Sequence, residues 1–228
     1  MSKKDKHEED VIVDVQEVYS KTESFLEENQ KAITTVVLAI VIVIGGYFGY
    51  KNLYLLPQEK EASELIWKAE YYLEKGDYTK AIEGDGNYYG LAYIAEEYNN
   101  TKTGELANYY LGTAYLQQGE YELAIDYLSG VNLDDEVTGA VALGATGDAY
   151  AELGNYDKAI SYFKKAVNHS SNQFTAPLYL MKEALVLEEV GSYDEALENY
   201  KTIKEKYPNS NQARDIDKYI SRVASYVS

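Results

Sequence analysis

The side chains able to do chemistry are few and scattered. His7 lies in a charged tail and His169 in an Asn-His-Ser-Ser sequence, and no serine or threonine motif pairs a nucleophile with either base. The chain has no cysteine, which removes thiolate-metal and disulfide redox chemistry. Glycine motifs that cradle phosphate are missing. The acids Asp134-Asp135-Glu136 stand between repeating segments, where a solvated linker or a helix cap accounts for them. Gly84-Asp85-Gly86-Asn87 resembles the opening of a calcium loop but lacks the oxygen ligands further on, so it reads as a tight turn. These residues point away from an enzyme, and no cofactor or metal is expected.

What does recur is a phrase with a structural meaning: Gly76-Asp-Tyr-x-x-Ala-Ile, Gly119-Glu-Tyr-x-x-Ala-Ile, Gly154-Asn-Tyr-x-x-Ala-Ile and Gly191-Ser-Tyr-x-x-Ala-Leu. Glycine ends one helix in the left-handed conformation, and Asp77, Asn155 or Ser192 just after it can cap the next; Glu120 is the weaker capper. Seven residues before each glycine stands Ala69, Gly112, Gly147 or Ala184, and five after it stands an alanine, so paired helices can approach closely. Tyr72, Tyr115, Tyr150 and Leu187, with the tyrosine two past each glycine, fill the space between hairpins. The pattern predicts an all-α stack of about four helical hairpins.

In these residues the chain resembles the tetratricopeptide repeat family, whose unit is a pair of antiparallel helices. The third unit matches best, with Gly147, Tyr150, Gly154, Tyr156, Ala159, Phe163 and Ala166 in place, and the fourth adds Pro208 after Tyr200. The first unit departs most: an insertion around Glu83-Gly-Asp-Gly-Asn87 interrupts it. Repeats are expected over 62–210, broken near 83–105. A further helix, with Ile216, Tyr219, Ile220 and Val223 on one side, caps the stack within 211–228.

Upstream, nineteen residues from Ala32 to Tyr50 carry no charge. As a helix they span about 28 Å, close to the thickness of a hydrocarbon core. The segment is longer and lies deeper in the chain than a signal peptide's apolar region, and no small-residue cleavage site follows it. A membrane-spanning helix over 32–50, followed by a linker over 51–61, is therefore expected. Before it, Val11, Val15, Val18, Thr22, Phe25 and Asn29 alternate by four and three within the tail 1–31. They predict an amphipathic helix that either docks a partner or lies on the membrane surface. Residues 1–10 are charged and are expected to be disordered.

Charge narrows the partners. Beyond residue 50 there are 16 basic and 29 acidic side chains, a net of −13, which disfavours nucleic acid and anionic lipid. Lysines near the span, Lys21 and Lys31 before it and Lys51, Lys60 and Lys68 after it, do not fix its direction. The whole architecture resembles the YfgM-like single-pass inner-membrane proteins, ancillary subunits of the SecYEG translocon. That resemblance implies a cytoplasmic tail, a periplasmic repeat domain, and partners that include a SecYEG-type translocon and a periplasmic chaperone or client polypeptides. The alternative is a structural scaffold of another cell-envelope complex.

By register from the family pattern, the inner face of the stack is lined by the first helix of each hairpin. Its positions are Ile66, Glu70 and Glu74; Tyr109, Thr113 and Gln117; Asp148 and Glu152; and Met181, Leu185, Glu188 and Glu189. The mixture of acids with apolar groups suits a basic or amphipathic segment, or else is simply a solvated face of an acidic protein. Tyr71, Tyr88, Tyr89, Tyr93 and Tyr109 are less fully explained by the repeat; core packing is the preferred account of them and an exposed patch the other.

Overall fold

A computed structural model describes residues 23–227. The expected disorder of residues 1–10, and most of the amphipathic stripe in the tail, lie outside the described residues. Of that stripe, Phe25 and Asn29 are described, and the Asn29 amide donates to the Phe25 carbonyl at 2.9 Å. The chain divides into two compact units, Met1–Leu56 and Pro57–Ser228.

The first unit holds α1, Gln30–Tyr50, followed by a π-helical turn, Lys51–Leu55. No residue of α1 is buried. Helix length and composition are sufficient to cross a membrane. The Thr35 hydroxyl donates to the Lys31 carbonyl at 2.8 Å, so it is satisfied within its own helix.

The second unit is all-helical among the described residues. Its elements are α2 (Leu56–Glu74), α3 (Tyr78–Glu83), α4 (Leu91–Glu97), α5 (Lys102–Gln118), α6 (Tyr121–Leu128), α7 (Thr138–Glu152), α8 (Tyr156–His169), α9 (Thr175–Glu189), α10 (Tyr193–Lys206) and α11 (Ile216–Ala224). They form a tetratricopeptide-type solenoid of four hairpins sealed by α11. In the first hairpin the second helix is split into α3 and α4.

Each hairpin turn is built the same way. Gly76, Gly119, Gly154 and Gly191 all have φ between 71° and 79°, and the residue after each donates its N–H to the carbonyl of Tyr72, Tyr115, Tyr150 or Leu187. This hydrogen bond closes the helix end with a Schellman arrangement. Asp77 and Asn155 accept from the N–H three residues on, as expected of caps, at 3.3 and 3.4 Å. Ser192 departs from expectation: its side chain makes no cap hydrogen bond, and neither does that of Glu120. Asp194 and Glu195 in the first turn of α10 offer the helix dipole negative charge instead.

Small residues set the spacing. A Cβ added to Gly112 would overlap Leu128, and one added to Gly147 would lie 2.6 Å from Phe163, so within hairpins two and three the helices touch through these glycines. Between hairpins three and four, a Cβ on Gly144 would overlap the ring of Tyr179, which is buried. Four linked apolar clusters run along the stack, with Tyr200, Phe163, Leu91, Ile94 and Leu111 among the largest fully buried side chains.

The insertion is the tight turn that its sequence predicts. Gly84 and Tyr89 form an isolated antiparallel bridge, and the Asp85 carboxylate accepts from the N–H groups of Asn87 and Tyr88, both at 2.9 Å. Its other oxygen accepts from the Tyr72 hydroxyl at 2.6 Å, which holds the carboxyl below the usual range and pushes the phenol up to about 12. Gly84 has φ 91°, and a Cβ there would overlap the Tyr88 carbonyl; Gly86 has φ 87° but open space around it. Gly84→Asn should therefore cost about 1–3 kcal/mol in strain with a steric clash added, while Gly86→Asn, with open space around it, should carry the positive-φ strain alone and cost less. Urea unfolding of the two variants side by side measures the difference.

Candidate protein-binding groove

The first helices of the hairpins, α2, α5, α7 and α9, carry the polar contacts that tie one repeat to the next. At the start, the Glu59 carboxylate accepts from the Thr103 hydroxyl at 2.7 Å and from its N–H at 3.2 Å. Further along α2, Glu70 and burial together push the Tyr110 phenol up to about 12, burial being the larger cause. Between α7 and α9, the Lys182 ammonium donates to both oxygens of Asp148, at 2.7 and 2.6 Å. At the C-terminal end, Glu188 accepts from the Tyr200 hydroxyl and from the Arg222 guanidinium, each at 2.5 Å. Arg222 comes from α11, so the capping helix is locked onto α9 by a charge-assisted bond.

The predicted inner-face residues therefore fall into three groups. Ile66 is buried in the core with Ala62 and Ala69, so it supports the surface instead of presenting it. Asp148 and Glu188 are held by internal cations and tyrosine. Glu70, Glu74, Glu152 and Glu189 form no ion pair within 4.0 Å among the described residues. Glu74, Glu152, Gln117, Leu185 and Glu189 are exposed, whereas Glu70, Tyr109, Thr113 and Met181 are half-buried. Glu152 receives a long 3.4 Å hydrogen bond from Tyr121. Glu74, Glu152 and Glu189 are thus exposed without an ion pair, Glu70 borders Tyr110, and Asp148 and Glu188 are used within the stack.

Three other residues matter that sequence reasoning did not single out. Glu183 is buried between α8, α9 and α10, with Lys164 at 3.8 Å, and burial raises its carboxyl. Its signal was a lone acid amid the apolar run from Leu178 to Leu187. Trp67 is half-exposed on α2. Lys164 also bridges to Glu195 at 3.3 Å. His169, by contrast, has an ordinary role: its Nε2 lies 3.1 Å from the Asp135 carbonyl and its ring packs on Gly139. Asp135 is a cap, accepting from the N–H groups of Val137 and Thr138 at 3.1 and 2.6 Å, and these bonds lower its carboxyl.

The preference for core packing of the unexplained tyrosines is corrected. Tyr71, Tyr88, Tyr89 and Tyr93 are exposed, and only Tyr109 is half-buried. The physical reason is the split second helix: α3 has six residues and α4 seven, which is too short to cover these rings.

Hairpins of this geometry, stacked and sealed by a last helix, define an α-solenoid interaction module. Its repeats are tetratricopeptide repeats: profiles of that description match residues 92–131, 140–172 and 179–210. Helix α2, joined to the interrupted α3–α4 region, lies outside the matched ranges. Among solved structures, a tetratricopeptide repeat protein from Parabacteroides merdae is 19% identical with a TM-score of 0.58. It covers 73% of this chain, and the chain spans 61% of its length. Two structures of a Podosopora anserina kinesin light chain candidate with nearly identical TPR-like repeats are 13% and 14% identical, with TM-scores of 0.55 and 0.56. Each covers 73% of this chain, which covers 86% and 87% of theirs. At such identities the likeness is one of fold. No curated protein matches the chain by sequence.

The Asp148–Lys182 pair gives a measurable test. Burial outweighs the attraction of Lys182, so the Asp148 carboxyl sits above its ordinary range. Between the unfolded value and this raised one the folded chain binds more protons, so this group's contribution to stability falls as pH rises through that window. Lys182→Met should widen the window. The expected loss is about 1–3 kcal/mol at neutral pH, from leaving a partly buried carboxylate without its donor. The loss should shrink as pH falls through that window, where the carboxyl takes up a proton. Urea unfolding followed from neutral pH down into the acid range checks both the size and the sign.

Proposed function

We propose that this chain is a non-enzymatic adaptor that is anchored in a membrane by Ala32–Tyr50 and holds protein partners on its repeats. The observation that carries the reading is the set of inner-face carboxylates without internal cations, Glu70, Glu74, Glu152 and Glu189, on a face whose register also includes Tyr109, Thr113 and Gln117. Such a face attracts a basic or amphipathic polypeptide segment over a distance and offers it apolar contact at short range. A surface whose acids were all neutralised from within would have no such preference.

The particular role we infer is that of an accessory subunit of a SecYEG-type translocon, with the tail cytoplasmic and the repeat domain periplasmic in a cell inner membrane. There it would assist exported polypeptides or recruit a periplasmic chaperone. The support is architectural: a tail, one apolar helix long enough to span, and a tetratricopeptide stack, in the order of the single-pass translocon-associated proteins. A structural scaffold of another envelope complex uses the same surface and is the competing reading.

Purification of the full chain in mild detergent, with identification of what comes with it, separates the two. Translocon subunits without envelope-assembly subunits are expected; the reverse outcome supports the scaffold. In spheroplasts the repeat domain should be cleaved by added protease, and protection would overturn the orientation. Glu70→Gln combined with Glu74→Gln should weaken capture of a basic client and flatten its salt dependence, since exposed charge attraction is screened over about 10 Å at 0.1 M salt.

A further inference from the structure

The insertion in the first hairpin does more than close a turn. Tyr89 is held from both sides: it bridges to Gly84, and a Cβ added to the next residue, Gly90, would overlap the Ile82 carbonyl. That fixed backbone sets the Tyr89 ring against Tyr93 of α4, stacked at 3.9 Å between ring centres and 14° between planes. Tyr93 in turn meets the buried Tyr98 edge-on at 6.4 Å. Tyr89 and Tyr93 are nonetheless 52% and 38% exposed, so each leaves part of its ring to an outside group.

Acids border this pair. Glu61 of α2 and Glu97, the last residue of α4, are both exposed. Burial and then the Glu61 charge push the Tyr98 phenol up to about 12. Burial, with Tyr89, Glu97 and Glu61 adding to it, raises the Tyr93 phenol. Two carboxylates from different helices therefore converge on the same rings.

What the pair lacks is a cation. Nearby, the Lys68 ammonium lies 4.8 Å from the centre of the Tyr71 ring and 5.4 Å from those of Trp67 and Tyr88, and Lys75 lies 5.6 Å from Tyr71. Lys60 pairs with Glu64 at 3.9 Å and Lys80 with Asp77 at 2.6 Å. Every lysine of α2, α3 and the turn between them is thus engaged elsewhere. Among the described residues no cation lies over Tyr89 or Tyr93, and none forms an ion pair with Glu61 or Glu97. The net charge of −13 beyond residue 50 draws a cationic partner from a distance.

Exposed stacked rings rimmed by unpaired carboxylates suit one side chain above others. A guanidinium is planar, so it lies flat on a ring while its fork of N–H groups reaches a carboxylate at the edge; an ammonium is a hydrated point charge without that shape. We infer that Tyr89 and Tyr93, with Glu61 and Glu97 at their rim, form a docking site for an arginine side chain of a basic polypeptide partner. The site shares no residue with the groove acids and depends neither on them nor on the membrane anchor. The insertion that interrupts the first repeat supplies half of it, Tyr89.

The full chain in mild detergent is titrated into dye-labelled peptides of four Gly-Arg repeats, four Gly-Lys repeats and four Gly-citrulline repeats, with binding followed by fluorescence anisotropy. The arginine peptide should bind more tightly than the lysine one, and the uncharged citrulline peptide least. Tyr89→Ser with Tyr93→Ser should weaken the arginine peptide about fivefold and remove its advantage over lysine. Tyr89→Phe with Tyr93→Phe keeps the rings and should keep the advantage. Glu61→Gln with Glu97→Gln should weaken both charged peptides and flatten their salt dependence. Those two positions are exposed, so this variant tests the site even where the serine pair disturbs the turn. Glu70→Gln with Glu74→Gln should lower both charged peptides alike and leave the arginine advantage intact; no effect from it would remove the groove reading and spare this site. An arginine peptide that binds no better than lysine, an advantage that survives the serine pair, or unchanged binding in the Glu61 and Glu97 variant would overturn the site.

Discussion

Helix-to-helix distance governs this molecule. Gly112 admits Leu128, Gly147 admits Phe163, and Gly144 admits Tyr179; in each case a single methyl group on the glycine would overlap the neighbour. The first two contacts close a hairpin and the third joins two hairpins. Because the interior is close-packed, the pitch of the stack is set by these side-chain-on-glycine contacts and is not free to adjust. The cross-repeat contacts between first helices inherit their geometry from that pitch. Asp148 and Lys182 stand 34 residues apart and still meet at 2.6 Å, and so do Glu188 and Arg222 at 2.5 Å.

Much of this was legible in the chain because it is local. The turn glycine, the small residue seven before it and the alanine five after it all act within one hairpin, so the repeated phrase carried their roles directly. Asp77 and Asn155 cap as their type and place require. The Gly84–Asn87 turn is local too, and so was its reading. What escaped depends on how one repeat sits on the next. Gly144 has no signature of its own; its partner Tyr179 is 35 residues away and on another hairpin. The division of the groove into paired and unpaired acids also needs register between repeats. Ile66 was placed on the inner face by the family pattern, yet the tight approach of α2 to its neighbours takes it into the core. The exposed tyrosines were hidden for the opposite reason: the family pattern supplies a full second helix, and here α3 and α4 are two short pieces.

Charge in the stack is spent unevenly. Lys182 and Arg222 neutralise Asp148 and Glu188 toward the C-terminal end, where α11 also seals the last apolar cluster. Toward the first hairpin the carboxylates of Glu70 and Glu74 have no such partner, while Lys68 on the same helix and Lys75 just after it lie over rings. One helix, α2, thus presents acid to one side and cation-laced aromatic surface to another.

Native-state hydrogen exchange of the full chain, compared with Gly144→Ala, tests the packing constraint most directly. If ring-on-glycine contacts couple the hairpins, the substitution should lower protection in α7, α9 and α10 together, with α5 little changed, because the third and fourth hairpins lose their shared contact while each keeps its own. Unchanged protection on both sides of Gly144 would contradict the account, since the spacing of the stack would then be set by something other than the glycine contacts.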